Sequence, residues 1–116
     1  MTNQQLFEYL KDQAKQCQNE QSLSSIIRKI KELIETSDDF DIASAAKIVS
    51  RYGGSSSDIL WAKQQIERGI GDVAWYAYWL YKDDRYNIVS LKWVMQQVER
   101  GIGSVKRTIF CLHEVQ

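Results

Sequence analysis

Histidine occurs once in this chain, at His113, and no nucleophile or carboxylate motif stands beside it. Triad chemistry needs a nucleophile, a base and a group that orients the base. One histidine on a helix, without such neighbours, reads as a partly exposed surface residue. Ser55, Ser56 and Ser57 follow two glycines but do not form the GxSxG elbow of a hydrolase. Gly69-Ile70-Gly71 invites a phosphate-loop reading, yet it lacks a third glycine, a preceding strand and a following Lys-Ser/Thr. Asp72 at that helix start would also repel an anion. Cys17 and Cys111 stand far apart with no CxxC, so each reads as a lone thiol. Zinc and calcium spacings are missing as well. The residues therefore predict a protein that is not an enzyme and that holds no cofactor and no metal.

What remains is chemistry suited to binding. Glu32, Glu35, Asp38, Asp39 and Asp41 place five acids within ten residues and no base among them. The three aspartates suit the positive end of a helix that follows. The run as a whole also suits a basic partner. Trp75, Tyr76, Tyr78, Trp79 and Tyr81 crowd seven residues of one helix. At about 100° per residue, Val73, Tyr76, Ala77 and Leu80 share one face, and Trp75, Tyr78 and Trp79 lie on the other. A helix apolar nearly all round is normally central. Trp and Tyr also dominate interface hot spots. Candidate partner-binding residues are thus Glu32, Glu35, Asp38, Asp39, Asp41, Trp75, Tyr78 and Trp79.

Composition narrows the partner class. Fifteen basic residues balance fifteen acidic ones. Nonspecific nucleic-acid binding runs on excess Lys and Arg, which this chain lacks. The halves differ only modestly: seven basic and nine acidic residues in 1–58, eight and six in 59–116. The first residues carry no charged and apolar leader pattern, and no run approaches the roughly 20 apolar residues of a membrane span. The expectation is a cytoplasmic protein with no membrane contact.

The elements that must position these residues are marked by a repeat. Trp61 to Val73 returns as Trp93 to Val105 at an offset of 32 residues, with nine of thirteen positions identical. Periods of about 20–50 residues mark stacked supersecondary units. Each unit reads as helix, Gly-Ile-Gly turn, helix, with Gly69 in the left-handed conformation and Asp72 or Ser104 capping the next helix. Glu67-Arg68 and Glu99-Arg100 recur at the turn and read as charge pairs or helix-end contacts that join one unit to the next. Asn87 reads as the cap for the second unit, and a last helix is expected over 104–114. Upstream, helices are expected over 3–18, after a Ser22, Ser24 or Ser25 cap, and over 41–52. The turn Gly53-Gly54-Ser55 then supplies a stop and a new cap. The chain carries no proline, and it shows no sustained period-two alternation.

The fold class expected is all-α: stacked antiparallel helical hairpins, a short αα solenoid or a compact bundle of about six to seven helices. One domain spans 1–116, with tandem units at 57–86 and 87–116 and N-terminal helices in 1–56.

From Trp61, Gly69 follows after eight residues and Val73, Ala77 and Tyr81 at steps of four. The same walk from Trp93 gives Gly101, Val105, Ile109 and His113. This spacing resembles Sel1-like repeats, short-turn relatives of tetratricopeptide repeats, over residues 57–114. Gln65-Ile66 and Gln97-Val98 stand where the family has small residues, and His113 replaces its final Tyr. The resemblance implies scaffolding or adaptor work without catalysis. The function expected is a small cytoplasmic protein–protein interaction module with one protein partner. A sharper form is an inhibitor, such as a bacterial immunity protein neutralising a basic toxin or nuclease. The alternatives are an adaptor or regulatory subunit of a larger complex and a nucleic-acid-associated regulator, with Arg28, Lys29, Lys31, Lys106 and Arg107 on phosphate.

Overall fold

Seven α-helices run through the described residues: α1 Asn3–Gln16, α2 Glu20–Glu35, α3 Ile42–Ile48, α4 Ser56–Glu67, α5 Val73–Asp83, α6 Leu91–Glu99 and α7 Val105–Val115. No strand occurs among those residues. The computed structural model describes residues 2–36 and 42–115, with backbone only for 42–44 and 114–115. Asp38, Asp39 and Asp41 lie outside the described residues or side chains.

Local chemistry explains where the helices begin. Thr2 and Gln5 form a reciprocal capping box at α1, with Gln5 N–H on Thr2 Oγ1 at 3.1 Å and Thr2 N–H on Gln5 Oε1 at 2.8 Å. Asn19, not one of the serines expected, caps α2: its side-chain oxygen accepts from Gln21 and Ser22. An Asn can accept from two orphan N–H groups at once, which lets the helix start earlier. Ser55 and Asp58 form a second capping box at α4. Ser90 caps α6 in place of Asn87, which instead adopts a left-handed φ of 57° in the preceding loop.

The helix expected over 41–52 is interrupted. α3 passes into a π-helical turn at Val49–Gly53, closed by the Gly54 N–H on the Val49 carbonyl at 3.4 Å. Gly54 then sits at φ +70°, a conformation that glycine accepts without a Cβ clash. The turn brings Ser50 inward, where its hydroxyl donates to the Lys47 carbonyl at 3.0 Å.

The helices pair into two rows. α2, α4 and α6 form one row; α3 with its π turn, α5 and α7 form the other. α3 packs on α4 and α5, and α5 packs on α4, α6 and α7. α1 lies against α2 through Phe7, Leu10 and Ala14. Apolar side chains from both rows close the core, with Ile30, Ile34, Ile59, Ile66, Val73 and Val94 fully buried. Each such aliphatic side chain stabilises the fold by about 1.5–3 kcal/mol relative to exposure. α5 touches the most neighbours, in keeping with its apolar circumference.

Candidate functional site

Position along the repeat decides which side chains meet. On the α2–α4–α6 row, the Trp61 indole donates to Glu35 Oε1 at 2.7 Å, and the Trp93 indole donates to Glu67 Oε1 at 3.1 Å. The Arg68 guanidinium donates to the Ile34 carbonyl at 3.5 Å, and that of Arg100 to the Ile66 carbonyl at 3.4 Å. Gln65 and Gln97 hold those arginines through their side-chain oxygens at 2.8 and 2.7 Å. Lys31 lies 5.7 Å from the Trp61 ring and Lys63 lies 5.5 Å from the Trp93 ring. A clamp of Trp, Arg and Lys thus recurs from helix to helix. In it, α2 presents to α4 the groups that α4 presents to α6. Arg68 reaches back to α2 and Glu67 reaches forward to α6.

The aromatic cluster forms on the other row. Trp75, Tyr78 and Trp79 sit with ring centroids 5.8 Å apart in all three pairings. Trp75 and Tyr78 stack, and Trp79 meets both edge-on. Arg107 of α7 lies 3.7 Å from the Trp75 centroid, Lys47 of α3 lies 4.8 Å from Trp79, and Lys82 lies 6.0 Å from Tyr78. Arg107, named above only for phosphate, covers the ring of its own repeat counterpart. Tyr78 is buried, while Trp75, Tyr76 and Trp79 are half-buried. The simple two-faced wheel therefore needs correction: α3 and α7 flank α5, so no side of it is wholly free. The Trp79 indole N–H is buried and has no acceptor among the described residues.

The cationic border extends past Lys82. A cleft of about 510 Å³ at the π turn is lined by Arg51, Lys82, Arg85 and Gly53-Gly54, with Asp83 the one carboxylate in its wall. Asp83 receives the Ser50 hydroxyl at 3.4 Å. A cation over an aromatic face contributes about 0.5–2 kcal/mol, more as water is excluded. The α5 face is thus a ring cluster bordered by positive charge, suited to a partner that brings carboxylates.

The acidic candidates are differently placed. Glu35 is engaged by Trp61, and Glu32 is exposed one turn earlier on α2. They share neither helix nor row with the ring cluster, so the structure divides the candidate residues into two groups. A second cleft, about 610 Å³, lies between α2 and the π turn and holds the Lys31–Asp58 ion pair at 2.5 Å. Burial acts to raise the Asp58 carboxyl, but the Lys31 ammonium and the Ser55 hydroxyl and N–H outweigh it and hold the group below its usual range. No group of three or more metal-ligating side chains gathers among the described residues. No described helix is long and apolar enough to cross a membrane.

Sequence reasoning missed Lys47 and Lys82 as neighbours of the rings, and it named Arg107 only as a contact for phosphate. The signal for two of them was present: Lys47 and Trp79, like Trp75 and Arg107, stand 32 residues apart. Lys82 follows Tyr78 by one helical turn, a spacing that places the two side by side. Comparison with protein-family profiles, with curated proteins and with solved structures finds no match to this chain.

Proposed function

We propose that the protein is a small cytoplasmic interaction module that binds one protein partner through the α5 face. The observation that carries this reading is the half-buried Trp75–Tyr78–Trp79 cluster bordered by Lys47, Lys82 and Arg107. Trp, Tyr and Arg supply most of the binding energy at protein interfaces, and here they are already held in place by one another. The cations favour a partner surface with carboxylates, so the partner's charge on this face is opposite to the one the acidic run suggests. The Sel1-like spacing supports the same scaffolding role. The narrower reading, an immunity-type inhibitor holding a basic toxin or nuclease, rests on the acidic run, of which exposed Glu32 and Trp61-bound Glu35 are the described members.

The test is affinity capture from native lysate with tagged wild-type chain and with tagged Lys47→Glu/Arg107→Glu. A stoichiometric protein present with the first and lost with the second, at equal helicity, supports the reading. A partner retained by the charge-reversed chain, or no partner with either, overturns it.

A further inference from the structure

The connection after α5 reads Lys82-Asp83-Asp84-Arg85, in which acids and bases balance. The fold separates those charges. The Asp84 carboxylate turns to the backbone and accepts the Tyr86 N–H at 2.9 Å and the Val89 N–H at 2.7 Å. Asp83 receives the hydroxyl of buried Ser50. Lys82 and Arg85 are left in the wall of the π-turn cleft, where Arg51 joins them. All three are exposed. Neither Arg51 nor Arg85 pairs with a described carboxylate, and Lys82 faces the Tyr78 ring rather than an acid. Three cations against the single carboxylate of Asp83 leave the cleft with an excess of positive charge. Like charges gathered in one concavity repel, and an anion that enters relieves the repulsion.

The walls of the cleft are tied to each other. The Tyr86 hydroxyl donates to the Gly54 carbonyl at 2.7 Å, and the Ser50 hydroxyl lies 3.4 Å from Asp83. Both bonds join the π turn to the end of α5 and the connection after it. Gly54 and Tyr86 stand 32 residues apart, so the repeat spacing itself brings the two walls together. The space, about 510 Å³, falls within the usual range of small-molecule sites. Half-buried Tyr52 adds an aromatic surface to its wall. A π turn set at the end of a helix is frequent at functional sites.

We infer that the π-turn cleft binds the phosphate monoester of a small molecule. Such a group carries close to two negative charges at neutral pH, which matches the excess of cations over Asp83. A guanidinium offers parallel N–H groups to two phosphate oxygens at once, and the cleft has two guanidinium groups without an acid. Arg51 and Arg85 clasp the phosphoryl oxygens, Lys82 adds a point charge, and the organic part lies toward Tyr52. Asp83, held by Ser50, marks the side of the cleft that the phosphate avoids. The site shares Lys82 with the border of the α5 face. It uses neither the ring cluster nor Lys47 nor Arg107, so it goes beyond the proposed partner surface.

The probe is phenyl phosphate, titrated into the full chain by calorimetry at about 0.15 M salt, where distant surface charges are screened. Saturable one-to-one binding is expected. Arg51→Gln and Arg85→Gln should each weaken it about tenfold, and phenyl sulfate, of similar shape with one charge fewer, should bind about tenfold more weakly. Both arginines are exposed, and far-UV circular dichroism checks that the variants fold. A Lys15→Gln/Lys29→Gln chain, which removes two exposed cations of α1 and α2 outside the cleft, should bind as the wild type does. The Lys47→Glu/Arg107→Glu chain leaves all three cleft cations in place and should keep the binding, so loss of the protein partner and loss of the phosphate ester are separate results. Absence of saturable binding overturns the inference. So does an equal loss in the Lys15/Lys29 control, or equal affinity for the sulfate. An oligoglutamate peptide that displaces phenyl phosphate and binds more tightly would give the cleft to a carboxylate-bearing partner and overturn it as well.

Discussion

Asp72 binds its own repeat counterpart. Its carboxylate accepts the Ser104 N–H at 2.6 Å and the Ser104 hydroxyl at 2.7 Å, 32 residues along the chain. It makes no capping bond to α5, the helix it precedes. It sits instead at the start of α7, where a negative charge meets the positive helix end. Lys47 over Trp79 and Arg107 over Trp75 repeat the relationship: in the second row, equivalent positions of successive units lie against each other.

Asp72→Ala should therefore destabilise the fold by about 1–3 kcal/mol, because two charge-assisted bonds are lost at a part-buried site. Ser104→Ala, which keeps the backbone N–H, should cost less. Urea denaturation of the two variants ranks them, and equal losses would show that the backbone bond contributes nothing.

Gly69 and Gly101 both have positive φ, at 83° and 73°, so an alanine strains either backbone by about 1 kcal/mol. Gly69→Ala also displaces the Arg100 guanidinium and should be the more destabilising of the two. An Arg100→Ala background should remove the difference, as read by a double-mutant cycle.

The tryptophans separate by the fate of their indole N–H. Trp93→Phe loses the bond to Glu67 and should cost about 0.5–1.5 kcal/mol beyond the lost ring area. Trp79→Phe removes a buried donor that has no acceptor among the described residues, so the chain should tolerate it better. Trp75→Ala, at a half-buried position, should cost about 1–3 kcal/mol, below the 3–5 of a fully buried tryptophan. Thermal unfolding of the three variants checks the order.

Asp58 has a lowered folded-state carboxyl pKa, so its contribution is present above the usual aspartate range and is lost as pH falls through the folded value. Stability should fall on acidification below about pH 4. Asp58→Asn should cost about 1–2 kcal/mol at neutral pH, given the partial exposure of the pair, and flatten that acid slope. An unchanged slope in the variant would mean other carboxylates carry it.

Much of the fold is legible along the chain because helix formation is local. The glycine stop at Gly69 and the caps at Ser55 and Asn19 each depend on residues within a turn or two. Even the spacing of 32 between units is written there, and with it the identity of the residues that repeat. Local signals also misplace some ends. Asn19 outcompetes the serines at α2, and the π turn at Val49–Gly53 has no counterpart in the apolar periodicity.

The tertiary structure alone decides which repeated residues touch. Periodicity places Trp75, Tyr78 and Trp79 on one side of α5 but cannot say that α3 and α7 send Lys47 and Arg107 across their faces. It marks Glu35 as one acid among five and cannot show that Trp61 claims its carboxylate. It offers Asp72 as a cap and cannot tell which helix it caps. The reason is geometric. Contacts between helices depend on how one unit is rotated and shifted against the next, and that is set by packing of the whole core rather than by any one segment.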